Sequence, residues 1–383
     1  MRTRIRLALI AAAALAATPI AARAQGTLST LGFGYPAGQL STRAAGTGGA
    51  IADFDPLSST NPAAVASFGG TALYLQAEPE YRSLKIGAAT ETAMIARHPL
   101  ATIAFPIRNS LFGSVSLSNL LDRTFETNVR GTQKIGDSTL ATTNLFKSDG
   151  AIADVRVSFA WVPAQWLRLG IAGHAITGDN RLNNSQRFDD STQFAPLVDT
   201  STVTYLGTAI SGGVELFAGN VAGLAASYRK GGSMSVKHGN ETLSTATVPD
   251  RMSFGVAFLG IKGTSIAART SKETWSNMRG LGSANLAISD AWDTSVGADV
   301  LGPHLAGRSV QIRAGGRWRT LPFGLPTSEV KEKSLSFGLG TSLGRGRVGL
   351  DLAGIRALRD PVNTAIDLHE KAWTVSVGVT VRP

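Results

Sequence analysis

Side chains that could perform chemistry are few and widely separated in this sequence of 383 residues. The five histidines do not lie near one another at the short spacings of metal ligands. They are His98, His174, His238, His304 and His369. No stretch suggests the pairing of serine or aspartate with histidine that a membrane esterase or protease needs. The sequence therefore predicts no enzyme, no metal site and no cofactor.

Arginine is the residue type that offers a chemical role, because several arginines alternate with large apolar residues. The charged residues on these small-residue faces are Arg156, Arg168, Arg313, Arg317, Asp351, Asp299 and Glu215. An arginine facing an enclosed space could bind the carboxylate of a ligand. Alternatively, the arginines pair with the acids or with another segment of the chain. The pattern favours pairing, since buried charges are usually paired.

The elements that carry these residues alternate strictly between large apolar and small side chains. In Trp373–Val381, "WTVSVGVTV", the odd positions are tryptophan and valine, and the even positions are threonine, serine and glycine. The stretches "VRVSFAWV", "RMSFGVAF" and "SLSFGLG" repeat the pattern. A period of two residues is typical of β-strands with two different faces.

Two architectures fit such strands, a soluble β-rich protein and a membrane barrel. The small face consists of Gly, Ala, Ser and Thr with occasional charges, which suits a wet barrel interior. Trp161, Trp318 and Trp373 end apolar stretches, as in an interfacial aromatic girdle. The sequence therefore predicts an all-β, transmembrane antiparallel β-barrel whose Trp373 and following valines face lipid. A soluble periplasmic β-protein remains the alternative on the pattern alone.

The N-terminus predicts export. "MRTRIR" is followed by a short apolar run and by "ARA", so residues 1–24 are predicted to be a signal peptide that is cleaved before Gln25. Without its four arginines the chain keeps 33 of 37 basic residues against 27 acidic ones. The remaining basic residues are scattered, which predicts no nucleic-acid partner. Export and the strand pattern together predict the bacterial outer membrane.

The connections between strands differ in length. Two polar segments without period, 128–150 and 178–202, are predicted to be long outer loops. The alternative is that they contain further strands or extend a hairpin beyond the membrane. The connections at 163–165 and 344–346 are predicted to be short turns.

The segment from Ser41 to Gly70 has no strand alternation and is interrupted by Gly and Pro. Its "AGTGGA" lacks the Lys and Ser/Thr of a phosphate-binding loop. Asn61 and Pro62 predict the cap and first residue of a short helix. We divide the mature chain here into a part that precedes the strands, 25–69, and a strand region, 70–383.

This segment resembles a known family. "GGAIAD", Gly48 to Asp53, is followed after seven residues by "NPA", Asn61 to Ala63. The frame resembles the N-terminal plug of the FadL/TodX family of outer-membrane transporters. The residues that fit the family motif are Arg43, Ala44, Gly46, Gly48, Gly49, Asp53, Asn61, Pro62 and Ala63. Further along, "VPDRMSFGVAF" resembles a segment of the family's second half.

The resemblance implies a porin-like barrel of about 14 strands with an N-terminal plug. It also implies passive uptake of long-chain fatty acids or other hydrophobic molecules, with outer-membrane lipid around the protein. The chain is short for the family and ends in Arg382-Pro383 instead of an aromatic residue. Related plug-bearing barrels serve in secretion or surface assembly, so a structural or secretion-linked barrel without small-molecule transport is the alternative. The motif leaves the cargo and the oligomeric state open.

Overall fold

A computed structural model describes residues 33–37, 39–87, 89–189, 194–281, 287–305, 308–325, 328–362 and 368–383. The predicted signal peptide, 1–24, and the first residues of the predicted plug lie outside these ranges. Within them, no helix is long and apolar enough to cross a membrane.

Antiparallel β-strands make up most of the described chain, because the stretches with period two pair with their sequence neighbours. The strands are β1 (Ala72–Ile86), β2 (Ala89–Arg97), β3 (Leu100–Arg108), β4 (Leu111–Asp122), β5 (Phe125–Ile135), β6 (Ser138–Ala164), β7 (Leu167–Phe188), β8 (Leu197–Ala218), β9 (Ala222–His238), β10 (Glu241–Thr247), β11 (Arg251–Ile261), β12 (Thr264–Glu273), β13 (Ala287–Ile288), β14 (Ala291–Leu305), β15 (Arg308–Leu325), β16 (Ser328–Leu343), β17 (Val348–Pro361) and β18 (Leu368–Val381).

The sheet closes on itself, since β1 pairs with the last strand, β18. Four strands of the wall are interrupted, and each consists of two consecutive segments. These are β2 with β3, β4 with β5, β10 with β11, and β13 with β14. For example, β1 pairs with both β2 and β3. With each such pair counted once, the barrel has 14 strands, and the predicted all-β antiparallel barrel and its strand number are confirmed.

The two faces of the wall have the predicted directions. On β18, Trp373 is 53% exposed and Val375 is 40% exposed, whereas Ser376 is fully buried. The outward positions of the other strands carry large apolar residues, and the inward positions carry small and charged ones except at one end of the barrel, where they are apolar. Trp292 and Trp318 are half exposed on the outer surface, as is Tyr81 opposite Trp373. Outward aromatic residues therefore border the apolar surface, as an interfacial girdle would.

The prediction of two long outer loops is wrong. Residues 128–150 form most of the hairpin between β5 and β6, with its turn at 136–137. Of residues 178–202, only the connection at 189–196 lies outside β7 and β8. These hairpins project beyond the apolar surface, so both of their faces are polar and their sequence shows no period. The alternative of an extended hairpin is the correct one.

Two short helices mark the N-terminal segment, which we define as residues 41–69. The α-helix α1 spans Thr42–Gly46, and the 3-10 helix η1 spans Pro62–Phe68. Ser41 Oγ accepts from the backbone N–H of Ala44, and Asn61 Oδ1 accepts from that of Ala63. These are N-caps, and the predicted roles of Asn61 and Pro62 in a short helix agree with them. A second 3-10 helix, η2 (Trp275–Leu281), follows β12.

The barrel interior as candidate functional site

The N-terminal segment lies against the inner face of the wall. Thr42 Oγ1 lies 2.9 Å from Ser376 Oγ of β18, and Asn61 Nδ2 lies 3.5 Å from the carbonyl oxygen of Val214 of β8. These strands are on different sides of the barrel. The segment therefore crosses the interior, at the end of the barrel where β1 begins and β18 ends. We call this the terminus end.

Glycines on the inner faces of strands allow this close approach. A Cβ atom added at Gly213 would lie 1.9 Å from Asn61 Oδ1, and one at Gly170 would lie 2.2 Å from the nitrogen of Ala63. At Gly315 a Cβ would lie 2.1 Å from the carbonyl oxygen of Thr47. Any larger residue would collide with the backbone or the capping side chain of the segment. The glycines thus form a seat in the wall that fits the segment.

Each group of the predicted plug motif has a structural role in this seat. Gly48 and Gly49 have φ angles of 69° and 94°, a region that favours glycine. Gly46 packs against the Cα of Gly338. Asn61 Nδ2 donates to the carbonyl oxygen of Asp53 at 2.9 Å, which joins the two ends of the motif. Pro62 and Ala63 are buried.

The charged residues of the motif form ion pairs with the wall. Arg43 Nε lies 3.1 Å from Asp299 Oδ2 of β14. Asp53 is fully buried, and its Oδ2 lies 3.2 Å from Arg269 Nε of β12. Both contacts cross from the segment to the barrel. Breaking the second would leave the buried Asp53 without its ion-pair partner, which is costly.

Three of the four predicted interior arginines are paired with acids. Arg313 Nη1 lies 2.6 Å from Asp351 Oδ1. The other two pairs are Arg317 with Asp293 at 2.7 Å and Arg168 with Glu215 at 3.0 Å. For these residues, and for the predicted Asp351, the geometry agrees with pairing and not with free binding groups.

Arg156 differs from the other predicted arginines. It is 2% exposed, and no described carboxylate lies within 4.0 Å of its guanidinium group. Its Nε and Nη1 have no hydrogen-bond partner in the described protein, and neither has Nη2 of the neighbouring Arg229. Buried N–H donors are normally satisfied. The inner face of β6 and β9 therefore presents donors suited to a carboxylate or another polar oxygen.

A hydrogen-bonded Asp–His–Ser row lies beside Arg156. His174 Nδ1 is 2.9 Å from Asp154 Oδ1, and His174 Nε2 is 2.9 Å from Ser211 Oγ. The prediction that no such constellation exists is wrong in this respect. The three residues lie on β6, β7 and β8, so only the register of the strands could reveal them. Ser211 is paired with both neighbouring strands, so its backbone offers no oxyanion site. The row fits a fixed polar network better than a nucleophile.

A Gly-x-Ser-x-Gly pattern also occurs, at residues 340–344. In hydrolases this pattern forms a sharp turn between a strand and a helix. Here it ends β16 and enters the turn at 344–347. The structural context of a nucleophile elbow is therefore missing. In the described residues, no three His, Asp or Glu side chains are placed to hold a metal ion.

A cluster of charges surrounds Tyr35, on the side of the N-terminal segment that is away from the terminus end. Four guanidinium groups lie 4.5–5.2 Å from the centre of its ring, those of Arg82, Arg97, Arg319 and Arg359. Their acidic partners are Glu80, Asp122, Glu332 and Glu370. Tyr35 also exchanges backbone hydrogen bonds with Asp122, at 2.7 and 2.8 Å, where β4 ends. Because Tyr35 lies in a stretch without period, the sequence did not reveal this cluster.

The interior at the other end of the barrel is apolar. A cluster of 21 buried apolar residues lies there. It includes Ile152, Ile176 and Phe323 on inward positions of strands. Phe33 and Trp275, which do not belong to wall strands, also lie in the cluster, and their ring centres are 6.0 Å apart. We call this group the apolar cluster.

The interior of the described barrel contains cavities, three of which bear on passage through it. One of about 130 Å³ lies between the apolar cluster and the N-terminal segment, and Tyr35, Trp275 and Ser336 are among its lining residues. Two others, of about 320 and 300 Å³, lie at the terminus end and share Arg43 and Leu57 in their linings. The larger cavities are of the size of small ligand pockets. The N-terminal segment separates these two cavities from the smaller one.

Known structures share this architecture. The chain is similar to a Pseudomonas aeruginosa FadL homologue, with a TM-score of 0.62 and 12% identity over 91% of this chain and 99% of that one. It is similar to the Pseudomonas putida toluene transporter TodX, with a TM-score of 0.56 and 12% identity over 92% and 98%. It is also similar to CymD, described as a monoaromatic hydrocarbon channel, with a TM-score of 0.55 and 11% identity over 90% and 97%.

These likenesses extend over nearly the whole of each chain. No family model matches the sequence, and no curated protein matches it. The protein therefore has the fold of FadL/TodX-type outer-membrane channels, and the predicted resemblance is confirmed at the level of fold. The solved neighbours are described as transporters or channels and not as enzymes.

Proposed function

We propose that the protein is an outer-membrane channel for passive uptake of hydrophobic small molecules, long-chain fatty acids among them. Residues 1–24 direct export and are removed, and the outer apolar surface lies in lipid. In barrels of this type the chain ends face the periplasm, so the terminus end is the exit side. The long hairpins of β5–β8 then lie on the outside of the cell.

The observation that carries the proposal is the apolar cluster. The interior of a general porin is polar, because water and solutes pass through it. Here 21 buried apolar side chains occupy the outer end of the interior. Transfer of an apolar molecule from water to such surroundings is favourable by roughly 25 cal/mol per Å² of buried surface. The neighbours described as a toluene transporter and a monoaromatic hydrocarbon channel support the same class of cargo.

The N-terminal segment acts as a plug in this proposal. A barrel of 14 strands encloses more space than its wall side chains fill. The segment occupies the terminus end, and its seat of glycines and ion pairs holds it there. The cavity of about 130 Å³ above it is too small for a long acyl chain. Passage of cargo therefore requires the segment to shift.

Arg156 is our candidate for carboxylate recognition. Its free donors, together with Arg229, suit the charged end of a fatty acid, and the nearby apolar cluster suits the tail. The paired arginines Arg168, Arg313 and Arg317 keep the fixed architecture of the interior. A neutral hydrocarbon needs no such group. The role of Arg156 can therefore be separated from that of the apolar cluster.

The test is uptake by cells whose own hydrophobic transporters are deleted, with labelled toluene and labelled oleate as cargoes. The protein should raise the uptake of both. Arg156→Gln should lower oleate uptake about tenfold, the loss expected for one charged contact, and leave toluene uptake unchanged. Arg168→Gln, at a paired arginine, serves as the control.

If the protein raises the uptake of neither cargo above background, the transport proposal is wrong, and a structural or secretion-linked barrel is favoured. If Arg156→Gln lowers the uptake of both cargoes equally, carboxylate recognition is wrong, whereas the channel remains.

A further inference from the structure

The outer surface of the barrel has a basic patch on three adjacent strands, β16, β17 and β18. Its members are Lys331, Lys333, Arg356 and Lys371. Lys333 pairs with Leu358, and Leu358 pairs with Lys371, so the two lysines are in one row. With strands about 4.8 Å apart, their Cα atoms are separated by roughly 10 Å. All four side chains are outside the barrel, away from the channel interior.

The patch borders the apolar surface. Leu335 is 71% exposed, and it lies opposite Arg356 on the neighbouring strand. Arg356 in turn lies opposite Trp373, and its guanidinium group is 5.2 Å from the centre of that ring. Long basic side chains at such a border extend their charge toward the polar headgroups while their methylene groups contact lipid. The charges of the patch therefore lie at headgroup level.

Lysines elsewhere along this border are neutralised by the protein itself. Lys230 Nζ lies 2.7 Å from Asp250, and Lys272 Nζ lies 3.5 Å from Asp290. In the described chain, no carboxylate comes within 4.0 Å of Lys331, Lys333 or Lys371.

The acids near the patch do not balance it. Asp360, the nearby acid on β17, is bound by His369 at 2.6 Å. Glu329 is the other described acid on the outer face of these three strands, so four basic groups stand against two acidic ones there. Among the described residues of these strands positive charge is in excess, which favours an anionic partner.

We propose that this patch binds the phosphate groups of a phosphorylated glycolipid in the outer leaflet. The inference rests on the proposed outer-membrane location, since only a lipid in that leaflet meets the patch. Ammonium and guanidinium groups recognise phosphate, and several on adjacent strands can hold more than one phosphate of the same headgroup. The acyl chains of the lipid then contact Leu335, Phe337 and Trp373, which are all at least half exposed.

The test uses the full-length protein purified in detergent, with added lipid A as the probe. Native mass spectrometry counts the bound lipid A, and thermal unfolding measures the rise in Tm that it causes. The triple variant Lys331→Gln, Lys333→Gln, Lys371→Gln should bind about tenfold less lipid A. The matched control, Lys230→Gln with Lys272→Gln, removes lysines that are already paired and should bind as the native protein does.

Three results would overturn the proposal. They are equal binding of lipid A by the native protein and the triple variant, equal loss in the control, and binding of dephosphorylated lipid A as tight as that of lipid A. A rise in Tm with inorganic phosphate alone would assign the patch to free phosphate and not to lipid.

Uptake of toluene by the triple variant separates this inference from the proposed function. Normal lipid A binding without any uptake would reject the channel and keep the lipid site.

Discussion

The two ends of the barrel interior are filled in different ways. At the terminus end the inner wall is lined by glycine and serine, and a separate segment of chain occupies the space. At the other end the wall strands fill the interior with their own large side chains, such as Ile176 and Phe323. Small residues in the wall therefore indicate where the chain itself enters the barrel, and large ones indicate where it does not.

The difference separates two functions. A filling made of wall side chains cannot leave without opening the sheet, whereas a filling made of a tethered segment can. The apolar end is suited to select molecules, and the terminus end is suited to block them. The charges around Tyr35 lie between the two and join seven strands of the wall through their ion pairs and hydrogen bonds.

The largest effect on conductance is expected when the N-terminal segment is deleted. Deleting Gln25 to Ala66, with the signal peptide kept, should leave a folded barrel, because the pairings among the 18 strands do not involve this segment and only the bridge from Tyr35 to Asp122 is lost. In planar bilayers its conductance should exceed that of the intact protein by about tenfold or more, since the wall side chains do not fill the terminus end and the deletion also removes Phe33 and Tyr35 from the other end. Equal conductance of both proteins would mean that the segment does not occlude the channel.

A single substitution in the seat of glycines should have a smaller effect on conductance. Gly213→Leu places a side chain where Asn61 Oδ1 now lies, since even a Cβ there would be 1.9 Å away. The substitution should displace η1 and give part of the conductance of the deletion. Gly173→Leu is the control, because a Cβ at Gly173 meets no atom within 4 Å. If the two variants conduct alike, the seat of glycines does not hold the segment.

The smallest effect concerns stability and contrasts the two faces of one strand. Phe337 is 54% exposed on the outer surface, and its neighbour Ser336 faces the cavity of about 130 Å³. Phe337→Arg should destabilise the barrel by roughly 2–4 kcal/mol in lipid, because the charge enters the apolar layer. Ser336→Arg should cost less, since acids such as Glu332 line the same cavity. Urea unfolding in lipid vesicles measures both, and equal costs would contradict the assignment of faces.

Sequence patterns predicted the wall and its faces well. The alternation in β18 sufficed to assign Trp373 to the outside, because that strand has different surroundings on its two sides. The same argument failed for 128–150 and 178–202. Those hairpins have similar, polar surroundings on both faces, so their strands leave no period in the sequence.

The interior sites were harder to predict. Glycines and "NPA" indicated the N-terminal segment, since left-handed turns and caps restrict residue type. The row of Asp154, His174 and Ser211 could not be predicted, because its geometry depends on the register of three strands. The same holds for Arg156, whose lack of an acidic partner is a property of its neighbours. The distinction between paired and free arginines therefore required the structure.

The contact between Thr42 and Ser376 also bears on the order of folding. The two residues are 334 positions apart, and Ser376 belongs to β18, the strand that closes the barrel against β1. The first part of the chain must wait for the last hairpin before it can form its native contacts, and such nonlocal contacts make folding slow. Once pairing of β1 with β18 has closed the barrel, the N-terminal segment can reach its seat only by entering through one end of the barrel. Docking of the segment and closure of the cylinder are therefore one assembly event, and the machinery that inserts the barrel must handle a chain whose beginning and end are joined last.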